Sequence, residues 1–301
     1  MLKINILLST YNGERYLKEQ LDSLFSQTYK NFKIIVRDDG SNDRTMDILK
    51  HYDIELLDSH ENIGVEKSFL TLLEYALKYI DSGYFMFCDQ DDVWEKDKVE
   101  KTLQKMCELE SKHEDMPLLV HTDLKVVDEK LQLIHNSFLK NEHINPQLNS
   151  FNRLLMQNTI TGCTMMINRR LAELSLPLSN GIIMHDWWMG LVASKFGKIG
   201  FVNNPLILYR QHANNSIGAK NFTLEYVLNK VFEKEIISKN IIQANIFLNQ
   251  YRNRLDKRTI IMLEEVTGIE NKSFLRKRII LLKYGLFKHG FIRNIGLFIK
   301  L

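Results

Sequence analysis

The 301 residues, 45% hydrophobic and 26% charged, suffice for one large α/β domain with a substantial core, or for a domain with an appendage. Four prolines and no low-complexity run exclude a long disordered linker, and three scattered cysteines without a Cys-x-x-Cys pair (Cys88, Cys107, Cys163) exclude a zinc ribbon or a disulfide framework. The net charge of +3 conceals a division: residues 1–220 hold 25 Lys and Arg against 30 Asp and Glu, whereas residues 221–301 hold 15 against 7, so a mildly acidic body carries a basic tail.

The apolar run at the N-terminus is broken by Tyr11-Asn12-Gly13 too soon for a signal peptide or membrane span, and no stretch of eighteen apolar residues occurs. With the thiol usage, this leads us to expect a cytoplasmic protein. Short apolar runs predict strands at Lys3–Ser9, Phe32–Arg37, Ile54–Leu57, Tyr84–Cys88 and Leu118–Thr122. Between them, helical periodicity covers Glu14–Gln27, Arg44–Tyr52, Val65–Ile80 and Lys96–Glu110. Such alternation implies βαβ units and a mainly parallel sheet. The pattern then loosens: Thr161–Ile167, Ile199–Val202 and Ile207–Tyr209 read as strands, Asp186–Phe196 as a helix, and residues 223–250, 252–266 and 273–300 as long helical stretches. A boundary is expected near residue 218, separating a catalytic domain, 1–218, from a basic helical extension, 219–301.

In an open parallel sheet, ligands bind beyond the carboxyl ends of the strands. Three predicted strands run there into polar groups: Ser9-Thr10-Tyr11-Asn12, Asp38-Asp39-Gly40-Ser41 and Asp89-Gln90-Asp91-Asp92. Each cluster alone is explained by a solvated turn or a helix cap. Together they bring five carboxylates to one edge, where each costs several kcal/mol to desolvate unless a cation or hydrogen-bonding ligand compensates. Neither a Gly-x-Gly-x-x-Gly turn nor a Walker loop is present to cradle phosphates. A divalent cation, Mn²⁺ or Mg²⁺, bridging a diphosphate to the Asp89–Asp92 oxygens is the alternative.

Ser9 to Glu14, Asp38 to Thr45, Asn62-Ile63-Gly64 and Asp89 to Asp92, in that order and spacing, resemble glycosyltransferase family 2, the inverting enzymes of GT-A fold. Cys88 to Trp94, His185-Asp186-Trp187-Trp188 and Tyr209 to Ser216 resemble in particular the bacterial rhamnosyltransferases of cell-wall and capsular polysaccharide synthesis. The resemblance implies an α/β GT-A domain, a nucleoside-diphosphate sugar donor and a glycan or lipid-linked glycan acceptor. It places Ser9, Thr10, Tyr11 and Glu14 at the nucleoside, with Asp39 accepting from the base N–H and Asp38 supporting the turn. Lys67 would be the cation near the nucleotide, Asp89 would face the ribose, and Asp91 would hold the metal. Gln90 departs from the small residue often found between the two aspartates.

Transfer needs a stabilised diphosphate and a base for the acceptor hydroxyl. Asp186, at an expected helix start in the family's acidic position, is the candidate base. The alternative is an N-cap aspartate beside two core tryptophans. Trp187, Trp188 and Arg210 are expected on the acceptor side, and His212 as a second metal ligand. dTDP-L-rhamnose is the expected donor, a UDP-hexose or UDP-N-acetylhexosamine the alternative. A silent scaffold would need none of Asp91, Asp186 and His212, and a phosphohydrolase leaves Ser9–Asn12 unexplained. Residues 271–301 carry eight Lys and Arg and no acidic residue among many apolar ones. They read as an interfacial amphipathic segment drawn to an anionic membrane surface, peripheral at the inner face of the cell membrane. The other solution is a cap on the catalytic body or on a second subunit, giving a homodimer. No nucleic-acid motif is present.

Overall fold

The computed structural model describes residues 2–59, 61–177, 179–212 and 235–301. Runs rich in Ile, Leu and Val make the middle of a mixed nine-stranded sheet: β1 (Ile4–Thr10), β2 (Phe32–Asp38), β3 (Glu55–Leu57), β4 (Tyr84–Cys88), β5 (Val93–Trp94), β6 (Leu118–Val127), β7 (Leu133–His135), β8 (Met165–Asn168) and β9 (Lys198–Arg210). Their spatial order is β3-β2-β1-β4-β8-β6-β9-β5, with β7 on the flank of β6. β1 pairs in parallel with both β2 and β4, which aligns Thr10 with Asp38 and Leu8 with Cys88. The carboxyl ends of these three strands therefore share one edge.

Alternate residues of β1 feed two cores. Leu7 points to one side, beneath α3 (Val65–Tyr79), α7 (Arg169–Ser175) and α8 (His185–Phe196). Ile6 and Leu8 point to the other, beneath α1 (Leu17–Phe25) and α4 (Lys98–Glu110). Burial on both faces is why Ile4 to Leu8 reads as an apolar run interrupted at Asn5 alone. The short helices α2 (Thr45–Leu49), α5 (Phe138–Asn141) and α6 (Phe151–Leu154) fill the connections.

Several boundaries differ from expectation for local reasons. The two pieces expected at 199–202 and 207–209 form one strand, because the register against β6 shifts twice between Thr122 and Lys125 and seats Pro205, which has no N–H to offer, opposite Asp123. The strand expected at Thr161–Ile167 opens instead with a 3₁₀ turn at Gly162–Thr164, and only Met165–Asn168 pairs. The two-residue β5 carried no periodic signal.

The tail is less separable than expected. The proposed boundary near 218, residues Ala213–Ser216 of the Tyr209–Ser216 segment, and the first part of the helical stretch at 223–250 lie outside the described residues. Beyond them, α9 (Glu235–Tyr251), α10 (Lys257–Thr267), α11 (Phe274–Tyr284) and α12 (Phe291–Lys300) pack on the same core as α8. Phe247, Leu281, Leu286 and Leu297 are buried there with Trp188 and Leu154. At roughly 1.5–3 kcal/mol for each fully buried large apolar side chain, deleting α11 and α12 would strip several such contributions from the catalytic body. Among the described residues, no helix is long and apolar enough to cross a membrane.

Candidate active site

The aligned strand ends open into a cavity of about 1050 Å³. Its first wall is a turn fixed by reciprocal hydrogen bonds. Asp38 Oδ1 accepts from Thr10 Oγ1 (2.8 Å) and Ser41 Oγ (2.6 Å), and Oδ2 from Ser41 N (2.8 Å). Ser41 Oγ in turn accepts from Asn12 N (2.8 Å), and Asn12 Oδ1 from Asn42 N (2.8 Å). Asp38, Ser41 and Asn42 thus pin the Tyr11–Gly13 loop rather than themselves facing the cavity. Gln90 grips the same loop: its Oε1 accepts from Tyr11 N at 2.8 Å and its Nε2 donates to Tyr11 O at 2.9 Å. The amide stands 2.3 Å from where a Cβ on Gly13 would lie, so glycine is what lets the clamp close. This accounts for a long residue between Asp89 and Asp91.

Asp39 lines the cavity, with both carboxylate oxygens engaged. Oδ1 accepts from Ile63 N and Oδ2 from Gly64 N, each at 2.8 Å, and the Arg37 guanidinium pairs with Oδ1. One N–H on Oδ2 still leaves it acceptor capacity. Gly64, at φ 84, allows the turn that aims these amides before α3 begins. Arg37 is buried and also reaches Glu61 O at 3.0 Å. It is the cation at Asp39, whereas Lys67, expected near the nucleotide, is exposed on α3 and outside the cavity lining. Removing one partner of a buried pair such as Arg37–Asp39 costs about 3–5 kcal/mol. Glu14 is likewise moved from nucleotide to scaffold, because its Oε2 accepts from Arg44 N and Nε, both at 3.1 Å. Ser9, Thr10 and Tyr11 do line the cavity, Tyr11 with its ring half exposed at the lip.

On the next strand end, Asp89 and Asp91 line the cavity while Asp92 is buried beneath it. Asp91 Oδ2 lies 2.8 Å from His212 Nε2, so two residues 121 positions apart converge. Burial, then the Asp91 and Asp186 charges, push the Asp89 carboxyl up to about 7. Arg210 is not on the acceptor side as expected. It is buried, its Nε donating to Asp91 O at 2.9 Å and its Nη1 to Glu129 O at 2.6 Å, while Nη2 pairs with Glu19. It holds the Asp91 backbone from below.

Two groups of donors can be weighed for a cation. Asp89, Asp92 and Cys163 offer ligand atoms within 4.8 Å of one another. Cys163 hydrogen-bonds Asp92, however, burial pushes both groups well up toward their neutral forms, and a thiol ill suits Mg²⁺ or Mn²⁺. Asp91 and His212, an oxygen and an imidazole already converged at the cavity wall, fit Mn²⁺ better.

The opposite wall carries Asp186 in the first turn of α8. Its carboxyl accepts from Trp187 N at 2.6 Å, with Asn158 and the Gly162 backbone also hydrogen-bonded to it, yet burial outweighs them and raises it to about 7. Trp187 lines the cavity. Trp188, expected to contact acceptor, is instead core: fully buried, its Nε1 donates to Ser175 O at 3.0 Å and its ring packs edge-on against Phe247. Helical geometry sets the two adjacent rings about 100° apart, so only one can face the cavity. His185 lies between Phe69 and Phe87, with burial lowering it to about 3. Asn158 was not anticipated, since a lone Asn in an irregular segment gives no periodic signal.

The family model for glycosyl transferase family 2 matches residues 5–174, more than half of the chain. The chain belongs to glycosyltransferase family 2. This glycosyltransferase is 28% identical over 273 residues to the dTDP-rhamnosyl transferase RfbG of Shigella flexneri, covering 83% of this chain and 88% of that one. It is 26% identical over 218 residues to the UDP-Glc:alpha-D-GlcNAc-diphosphoundecaprenol beta-1,3-glucosyltransferase WfgD of Escherichia coli, covering 71% and 78%. Among solved structures it resembles S. aureus TarS 1–349 in complex with UDP-GlcNAc (TM-score 0.53, 19% identity, 99% of this chain and 90% of that one). It also resembles the mannosyltransferase PcManGT from Pyrobaculum calidifontis in complex with GDP-Man and Mn²⁺ (TM-score 0.51, 13% identity, 94% and 79%). These two likenesses establish the GT-A fold.

Proposed function

We propose that the enzyme transfers L-rhamnose from dTDP-L-rhamnose, with inversion, to a hydroxyl of a lipid-linked or polymeric glycan. The observation that carries the transfer chemistry is one cavity with Asp39 and the Asp91–His212 pair along one side and Asp186 on the other. Ser9, Thr10, Tyr11 and Asp39 bind the nucleoside, Tyr11 by its ring and Asp39 by the remaining acceptor capacity of Oδ2, with Asp38 fixing their turn. Asp89 faces the ribose. Asp91 and His212 hold Mn²⁺ or Mg²⁺, which when bound supplies Lewis acidity to the diphosphate leaving group. Asp186, raised toward neutral pH by burial, takes the proton of the acceptor hydroxyl, and Trp187 offers its face to the acceptor sugar.

The rhamnose donor is favoured by the name of the Shigella flexneri relative; a UDP-hexose is the second choice, favoured by that of the Escherichia coli relative. Thymine and uracil differ by one methyl, worth only ~1 kcal/mol of burial. A thermal-shift panel of dTDP, UDP, GDP and their sugars, with and without Mn²⁺, separates them, since stabilisation grows as the ratio of ligand to Kd. The largest shift is expected with dTDP-rhamnose and Mn²⁺; no shift with any member would defeat the transferase assignment of the cavity.

The C-terminal helices supply the second partner, the anionic inner face of the cell membrane. Full-length protein is expected to co-sediment with phosphatidylglycerol vesicles at low salt and to release as salt screens the attraction. Because α11 and α12 share the core, the control is substitution of exposed residues, Leu275→Ser with Ile279→Ser, rather than truncation. Sedimentation no greater with anionic than with neutral vesicles would leave the helices a structural part of the catalytic body and remove the anionic surface as a partner.

A further inference from the structure

The helix α12 has two faces with different surroundings. Its inner side, Gly296 and Leu297, is buried and lines the same cavity as Asp91 and Asp186, together with Lys288 and Arg293. Arg293 is held in that wall by Glu142, donating to its carbonyl at 2.6 Å and pairing with its carboxylate at 3.2 Å. The outer side is an apolar row at helical spacing, with Phe291 81%, Ile295 44% and Ile299 65% exposed. Ile292 joins the two, being 56% exposed and yet part of the cavity wall. On α11 four more, Phe274, Leu275, Ile279 and Leu282, are exposed as well. The Arg278 guanidinium stacks on Phe274 at 3.5 Å and bonds to Phe298 O, tying the two helices together.

A soluble protein gains nothing by leaving eight large apolar residues of two adjacent helices in water. What covers them must tolerate cations, because residues 271–301 contain eight Lys and Arg and no acidic residue, whereas residues 1–270 hold 32 Lys and Arg against 37 Asp and Glu. A second copy would set one basic face against another. An anionic lipid surface complements both the charge and the apolar rows.

We infer that α12 is at once the acceptor wall of the site and its contact with the bilayer, so that the acceptor is an amphiphile whose glycan enters past Ile292 while its lipid stays in the membrane. This rests on the transferase function proposed above and narrows it: lipid-linked acceptors are favoured over free polymer. The donor, by contrast, is polar and meets Tyr11 and Asp39 at the other wall. The Ile292 lip is then a place where bulk obstructs the acceptor without touching the nucleotide residues.

Two full-length variants separate the functions of the two faces. In Phe291→Ser/Ile295→Ser/Ile299→Ser the outer row is lost; in Ile292→Trp the lip is filled at an exposed position that tolerates bulk. Each is given donor, Mn²⁺ and total lipid extract of the producing cells reconstituted in phosphatidylglycerol vesicles, and incorporation of labelled sugar into organic-extractable lipid is followed alongside donor binding and donor hydrolysis by water. The outer-row variant is expected to bind and hydrolyse donor like wild type and to lose at least about tenfold in lipid labelling, restored when the extract is presented in detergent micelles. Ile292→Trp is expected to keep vesicle binding and donor hydrolysis and to lose labelling in vesicles and micelles alike. Wild-type labelling by either variant in vesicles, or donor binding by the wild type without any lipid labelling, overturns the inference. Failure of the wild type to bind any nucleotide sugar would instead overturn the transferase function on which it rests.

Discussion

Asp186→Asn is expected to bind donor nearly as wild type and to lose on the order of 10²–10⁴-fold in kcat, the range associated with removing a general base. The amide keeps the volume and can still accept from Trp187 N, so α8 should begin as before. What it cannot do is accept the acceptor's proton. The same residue sets a pH profile. Burial raises the Asp186 carboxyl to about 7, and the base must be ionised to act, so activity rises as pH passes upward through that value. At one pH unit below, about a tenth of the enzyme is competent, and at one unit above, about nine tenths.

Asp89 is raised to about the same value, by burial and by the charges of Asp91 and Asp186, and would titrate in the same window. A bound cation holds a neighbouring carboxylate in its charged form. The profile of kcat at saturating donor and Mn²⁺ therefore isolates Asp186, whereas kcat/KM reports both groups. The ascending limb should vanish from the residual activity of Asp186→Asn. A variant with wild-type turnover, or with the limb unchanged, assigns the base to another group.

The parallel half of the sheet was legible because β1, β2 and β4 are buried on both sides and end in polar runs that no apolar core would accept. The order of those runs along the chain sufficed to group Tyr11, Asp39, Asp89 and Asp91. Roles within the group were less legible. Composition and spacing show only that Asp38 and Asp39 are adjacent; it was the family resemblance that gave the turn to Asp38 and the ligand side to Asp39. The same limit separates Trp187 from Trp188. Arg210 was misplaced because a cation's task depends on which carbonyls and carboxylates surround it, and those come from Glu19, Glu129 and Asp91 across the fold. Arg37 and Gln90 could have been found by asking what neutralises Asp39 and what fixes the Tyr11 backbone. The sharing of one core by α8 and α9–α12 had no local signature, since an amphipathic helix carries no mark of what its apolar face will meet.

Asp91→Ala is expected to lower transfer by about three orders of magnitude or more, equivalent to the several kcal/mol that a Lewis acid contributes to a leaving diphosphate. The Mn²⁺-dependent part of nucleotide binding should disappear with it, so that dTDP or UDP binds the variant equally with and without metal. Chelation of the wild type should reproduce both losses, and added Mn²⁺ should reverse them in the wild type alone. Packing must be separated from charge, because Asp91 Oδ2 also meets His212 Nε2 at 2.8 Å and Arg210 holds the Asp91 carbonyl. Asp91→Asn makes that separation. It keeps the side chain's shape and a polar atom for His212, leaves the Arg210 contact with the backbone untouched, and removes only the charge. If charge on the cation site is what matters, Asn fails nearly as badly as Ala while the thermal melt stays at the wild-type value. If the Asp91–His212 contact merely braces the loop that Gln90 clamps to Tyr11, Asn restores activity. A wild-type enzyme whose nucleotide affinity and turnover are indifferent to chelation would remove the metal from this site and leave His212 as a hydrogen-bond partner of Asp91.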